Sequence, residues 1–275
     1  MKTKSTILAT LCWLFPLASA LAASPQGTIP LDNAGRGEPG ARSGPSTAPT
    51  VDSAAILVLD HMSDMIGSLS SVSYSLSVTH DVQDPDYGTI ARFATHQVYM
   101  TGPDRMHVNS LSDKGHRGYW YNGNQVLYYS FTENNYGVMD APGGTMAAID
   151  DIHRRYGLDF PAADFFYPTF TDDLIAQSAR IDYLGIVKLG GRECFRIVAR
   201  GTNQTVQLWI ANDATFLPAK FIITDHARAN AQYQATFADW AMNPDLPTEL
   251  YNFRPPPGAS LIRILPSATT PEPVR

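Results

Sequence analysis

Cysteine is nearly absent from this chain, with Cys12 and Cys194 the only two in 275 residues. Lys2 and Lys4 precede an apolar stretch at residues 7–17, and the small residues Ala18, Ser19, Ala20 and Ala22 follow, which is the layout of a secretory signal peptide. Cleavage after Ala22 removes Cys12 and leaves Cys194 alone, so no internal disulfide forms and an exported domain must rest on its core. Lipidation at Cys12 is not expected, because the bulky Leu11 precedes it where that processing wants a small residue. Long hydrophobic runs are also missing. The apolar stretch is shorter than the roughly 20 residues that cross a bilayer, and Pro16 interrupts it. After cleavage no integral membrane segment is expected.

Positive charge is sparse, with 20 Lys and Arg against 26 Asp and Glu and a formal net charge of -6. Neither a basic block nor a basic helix is present, which argues against nucleic acid and anionic membrane surfaces as partners. Catalytic signatures are absent too. HExxH, CxxC and GxSxG do not occur. His61 and Met65 stand one helical turn apart, while His80, His96, His107 and His116 fall on separate strands or turns. Asp150-Asp151 and Asp172-Asp173 are neighbours at helix starts, where carboxylates favour the helix dipole. No catalytic residue, cofactor or metal is therefore expected, and the protein reads as a non-enzyme. Cys194, in a strand-like run, reads as a small packed hydrophobe.

What is present is organised in sequence. Residues 23–50 are rich in Pro, Gly, Ser and Ala with few bulky apolar residues, the composition of a disordered linker. Asp52 then fits a helix N-cap, followed by Ile56, Leu59, Met62, Ile66 and Leu69 at helical spacing. From Val72 the period changes to two, with Tyr74, Leu76 and Val78 on one face of a strand. Further strands are expected at 89–100, 104–111, 118–121 and 125–131, separated by Asp84-Pro85-Asp86, Gly102-Pro103-Asp104 and Asn122-Gly123-Asn124. A helix around Met146, Ile149, Ile152 and Tyr156 ends at Gly157, and a short one follows around residues 172–176. Strands resume at 179–189, 193–200, 205–210, 220–224 and around Tyr233, Ala235 and Phe237. This order reads as one α+β domain built on an antiparallel sheet, over residues 51–265, with a flexible tail at 266–275.

The phrases Arg105-Met106-His107-Val108, Tyr121-Asn122-Gly123, Arg155-Tyr156-Gly157-Leu158-Asp159-Phe160-Pro161, Gly191-Arg192-Glu193-Cys194, Gln207-Leu208-Trp209-Ile210, and Phe237 to Trp240 through Phe253 to Ala259 span nearly the whole domain. Together they resemble a family of predicted bacterial periplasmic proteins related in fold to the LolA and LolB lipoprotein carriers. The resemblance implies a strongly curved, incomplete β-barrel whose concave face is covered by helices, leaving an apolar cavity, in a periplasmic protein. It supplies no activity, since fold does not carry function. Arg92 and Arg105 match the carriers' functional arginine by location only, and neither is chosen.

In such a half-barrel Tyr74, Leu76, Val78, Tyr121, Tyr128, Leu208, Phe221, Tyr233 and Phe237 face inward and line the cavity. Phe160, Phe165, Phe166 and Tyr167, with Phe170, form an aromatic stretch around Pro161 and Pro168 that either makes a lid over the cavity or closes the core beneath a covering helix. The expected function is a non-enzymatic binding protein holding a hydrophobic ligand, a lipid or the acyl chain of a lipoprotein. The alternative is an envelope sensor or interaction module that binds a protein partner on the same concave face. A cavity of about 300 Å³ or more favours the carrier, and a packed core favours surface recognition.

Overall fold

The computed structural model describes residues 50–266. The expected signal peptide, the linker up to residue 49 and the tail beyond residue 266 lie outside the described residues. Thr50, counted above with the linker, instead opens β1 (Thr50–Val51), which pairs in parallel with Arg180 and Ile181.

Helix α1 (Ser53–Gly67) starts where the sequence expects it. Asp52 is extended, and its carboxylate accepts from the Ala54 N–H at 2.9 Å, satisfying one of the helix's free donors. The buried face runs through Ala55, Val58, Leu59, Met62 and Ile66, so Ile56 and Leu69 sit half-buried at its margin. A first antiparallel meander follows: β2 (Ser71–Asp84), β3 (Gly88–Thr101), β4 (Arg105–Ser112), β5 (Gly115–Tyr121), β6 (Gln125–Ser130) and β7 (Asn135–Asp140). β2 buries Val72, Tyr74, Leu76 and Val78, as its alternation predicts. β7 lies beyond the expected strands, because Asn135-Tyr136-Gly137 gives it a weak apolar pattern.

The second meander is β8 (Arg180–Leu189), β9 (Arg192–Arg200), β10 (Gln204–Ala211), β11 (Pro218–Asp225) and β12 (Ala231–Met242). β12 pairs antiparallel with β2, placing Phe237 opposite Leu76, and this one seam joins the two meanders into a single sheet. Among the described residues the sheet has 13 strands in the order β1-β8-β9-β10-β11-β12-β2-β3-β4-β5-β6-β7-β13, where β13 is Ser260–Leu261. It is open, curved and mostly antiparallel.

This order dictates where the middle of the chain goes. β7 and β8 lie near opposite edges, so the chain between them must cross the whole sheet. It does so over the inner face as α2 (Thr145–Tyr156), a 3₁₀ turn (Ala163–Phe166) and α3 (Phe170–Gln177). α2 stops at Gly157, which adopts φ 64 and donates its N–H to the His153 carbonyl at 2.7 Å. Ala162 also has positive φ, 64, where the chain reverses into the 3₁₀ turn.

Two stretches depart from simple alternation. A bulge between Ala238 and Ala241, with Asp239 at φ 55, turns Trp240 toward the inner face. There its ring lies 4.6 Å from Tyr74 and 5.3 Å from Phe237, and its indole N–H donates to the Pro218 carbonyl at 3.1 Å. The phrase Phe253 to Ala259 forms no strand. Its three successive prolines cannot donate to a ladder. Phe253 instead packs on Trp120 and Tyr129, at 4.5 and 5.0 Å, on the side of β5 opposite Tyr121. The chain then passes to β13 beside β7, and Ile264 rests on Gly137, where a Cβ would come within 2.5 Å of its Cδ1.

Candidate functional site

The inner face divides into two unequal halves. Over β11 and β12 the filling is aromatic. Phe165 from the crossing segment meets Phe170 at 4.9 Å, Phe221 at 5.3 Å and Phe237 edge-on at 5.6 Å. Phe221 also stacks on Tyr233 at 5.8 Å. Ring pairs in these geometries add to the area they bury and leave little space between them. Leu208, Phe221, Tyr233 and Phe237 are all buried.

Over β3 and β4 the filling is aliphatic and sulfur-rich. Met100, Met106, Val98, Val108 and Tyr74 from the sheet, with Met146 and Ile149 from α2, surround an apolar slot roofed by Phe160, Pro161 and Ala163. The slot has a volume of about 10 Å³, room for about one water. Met100 and Met146 also line a second, larger space, a cleft of about 380 Å³. That cleft lies between the end of α1, the start of β2, the β3–β4 turn and the first turn of α2, and no charged side chain lines it. The two methionines are thus shared by the open cleft and the small apolar slot, and flexible thioethers are well suited to rearranging there.

The sequence-expected residues fall into this picture as follows. Tyr74 lines the slot, and Leu76 and Val78 continue its side of β2 as buried core. Tyr121 is fully buried and its hydroxyl donates to the Gly143 carbonyl, holding the loop before α2. Tyr128 is half-buried against Tyr119 at 5.5 Å. Of the aromatic stretch, Phe160 and Phe165 are buried, while Phe166 and Tyr167 are half-buried. Phe160 meets Tyr119 edge-on at 5.5 Å, and Phe166 stacks on Tyr74 at 5.9 Å. Phe166 and Pro168 form one wall of the cleft and also border an open hollow of about 460 Å³ beside α1. Met100, Met146, Thr145 and Trp240 were not among the residues that the sequence offered for the cavity or its lid. Methionine at helical spacing looks like core, and only the bulge redirects Trp240.

The crossing segment carries several half-buried carboxylates. The Tyr167 hydroxyl donates to Asp150 at 2.6 Å, and His153 Nδ1 lies 2.6 Å from Asp159. Burial raises the Asp159 carboxyl, and the facing His153 opposes that rise. Burial, with the neighbouring carboxylates of Asp159, Asp150 and Asp173, pushes Asp164 up to about 6. The histidines are packed or stacked. Burial pushes His96 and His107 down to about 4, and His107 lies between Tyr99 and Trp120 at 5.7 and 4.7 Å. His61 lies 5.0 Å from Phe216, and His116 bonds Asn109 at 2.6 Å. Among the described residues no three His, Cys, Asp or Glu side chains come together as a metal site. Cys194 is buried, and burial raises its thiol. Arg92 bridges to Asp113 at 2.7 Å and Arg105 to Asp104 at 3.7 Å, and neither lines the cleft. No helix among the described residues is long and apolar enough to cross a membrane.

Residues 55–265 match the family described as "Predicted periplasmic protein (DUF2092)". The chain belongs to this family. No curated protein matches it in sequence. Among solved structures it is similar to an uncharacterized conserved protein from Thermus thermophilus, with 13% identity, 76% of this chain and 99% of that one covered, and a TM-score of 0.46. It is also similar to the lipoprotein LppX of Mycobacterium tuberculosis, with 14% identity, coverage of 69% and 96%, and a TM-score of 0.41. A LolA superfamily protein from Nitrosomonas europaea shows 11% identity, coverage of 72% and 97%, and a TM-score of 0.32.

Proposed function

We propose that this DUF2092 protein is a periplasmic, non-enzymatic carrier that holds the acyl chain of a lipid or lipoprotein between its sheet and its crossing helices. One observation carries the reading: the uncharged 380 Å³ cleft that shares Met100 and Met146 with the apolar slot beneath Phe160. Apolar surface leaving water supplies about 25 cal/mol per Å², so no catalytic group is needed for binding. The slot as it stands has room for about one water, so the chain enters by displacing the methionines and lifting the roof formed by Phe160 and Pro161. The inward residues Tyr74, Leu76 and Val78, with Tyr121 and Tyr128, form the wall on the slot side. Leu208, Phe221, Tyr233 and Phe237 back the aromatic half, where Phe165 holds the crossing segment, and Phe166 and Tyr167 travel with the roof.

Membership in a family described as predicted periplasmic supports this location, and an export signal at residues 1–22 is part of the proposal. Mass spectrometry of organic extracts from the purified protein tests the reading, together with uptake of a fluorescent fatty acid. Co-purified acyl lipid and saturable uptake are the expected results. Lipid-free preparations that take up no probe would sink the carrier and leave recognition of an envelope protein as the reading to pursue.

A further inference from the structure

The roof of the apolar slot lies between two left-handed residues. Gly157, at the end of α2, has φ 64, and Ala162, where the 3₁₀ turn begins, has φ 64 as well. Glycine adopts this conformation freely, whereas alanine is strained in it and keeps it only when the surrounding structure holds it there. Between the two run Leu158, Asp159, Phe160 and Pro161. The ring of Pro161 fixes its own φ and restricts Phe160 before it, and the Ala163 N–H donates to the Phe160 carbonyl at 3.2 Å. The roof is therefore stiff, and its freedom to turn lies at its ends.

Side chains of α2 fasten this flap. The carboxylate of Asp159, the residue before Phe160, lies 2.6 Å from His153 Nδ1. The two side chains are 24% and 26% exposed, so water competes little for the bond. His153 follows Met146 and Ile149 at spacings of three and four, so the helix face that walls the slot also holds its roof. A second fastening lies one turn earlier, where Asp150 accepts from the Tyr167 hydroxyl at 2.6 Å. Asp150 and His153 thus clip the crossing segment to α2 on either side of Phe165, which packs into the aromatic half. The slot beneath Phe160 has room for about one water. An acyl chain seated there displaces the roof, and Asp159 is one residue from the ring that must move.

Resting on the carrier reading above, we infer that the His153–Asp159 bond is the latch of the slot, holding Phe160 and Pro161 down in the empty protein and breaking when an acyl chain is seated beneath them. His153 and Asp159 are positioning residues that act on the ligand through Phe160. The Asp150–Tyr167 bond is the second fastening of the part that moves. A latch of this kind competes with the ligand. Apparent affinity is reduced by the fraction of molecules that are open, and entry is slowed by the same factor. Weakening the latch therefore speeds entry and tightens binding together, while release from the already unlatched loaded state keeps its rate.

The test follows a fluorescent fatty acid entering and leaving the full mature chain in stopped flow, beside an equilibrium titration. Asp159→Ala and His153→Ala should each speed entry and tighten binding about tenfold, the factor for one hydrogen bond to a charged group. The double variant should do no more than either alone, because both remove the same bond. Asp159→Asn, whose amide oxygen still accepts from Nδ1, should stay within about threefold of the unaltered protein, and Tyr167→Phe should speed entry about threefold. Damage to packing alone has the opposite sign, since it lowers the melting temperature and weakens binding. Entry and affinity unchanged or reduced in both alanine variants would overturn the latch, as they would if roof and α2 moved as one body, while uptake by the unaltered protein keeps the carrier reading. Uptake by Asp159→Ala alone would support both. No uptake by any of these proteins would overturn both.

Discussion

The two halves of the inner face solve the same problem with different side chains. Over β11 and β12, rings from the crossing segment and the sheet interlock, with Phe165 touching Phe170, Phe221 and Phe237 at 4.9–5.6 Å. Over β3 and β4, methionines meet α2 and leave both a 10 Å³ slot and a 380 Å³ cleft. Aromatic rings have few rotamers and fill fixed shapes, whereas an unbranched thioether can repack around a guest. One half thus anchors the crossing segment, and the other is where it can yield. An open sheet of this size need not be hollow to bind a chain. It needs one half of its filling to be adaptable.

Replacing Phe165 with Ala attacks the anchoring half. It should cost about 3–5 kcal/mol in urea unfolding, the range for a buried Phe truncated in a core. A loss below about 1 kcal/mol would show that the aromatic half is not the anchor. The acid response probes the other half through His96 on β3. Burial pushes its imidazole from 6.5 down to about 4, so between those values the unfolded chain takes up a proton that the folded chain refuses. Stability therefore falls as pH drops from 6.5 toward 4, by about 3 kcal/mol for a shift of this size, and levels off below. His107 acts in the same sense. Asp164, raised from 3.8 to about 6, acts in the opposite one, because the folded protein binds its proton first and gains stability as pH falls through 6. Urea midpoints across this range should decline more gently in His96→Gln, and an unchanged decline would remove His96 as their source.

Smaller effects sharpen the contrast. The pair Met100→Leu and Met146→Leu conserves volume and should cost under about 1.5 kcal/mol for each substitution, yet slow uptake of a fluorescent fatty acid because branched side chains repack less freely. Equal uptake rates would deny the methionines a gating part. Asp52→Ala removes the cap of α1, whose buried face lies against the 3₁₀ turn and α3, and should lower stability by about 1 kcal/mol without altering uptake. Thermal melts beside the uptake assay measure both quantities.

Much of the frame was readable along the chain. The Asp52 cap, the change of period at Val72, the Gly157 stop and the turn phrases before Arg105 and Gln125 each act within a few residues, so they survive as sequence signals. β1 and β13, two residues each, carry too little pattern to register, and Trp240 took its direction from a bulge that alternation does not encode. The expected inward set was mostly buried, but burial is not the same as lining a space. Tyr74 borders the slot, whereas Phe221 and Phe237 press against Phe165.

The sequence by itself determined the periodicities, the caps and turns, and the succession of helix, meander, crossing segment and meander. These follow from local backbone preference and side-chain spacing. Only the tertiary structure decided that β12 zips to β2, that the crossing segment therefore lies over the inner face, and that Met100 and Met146 border both a cleft and a slot. Those outcomes depend on which side chains from distant strands and helices meet, and the volume left between them is a remainder of packing that no stretch of sequence contains.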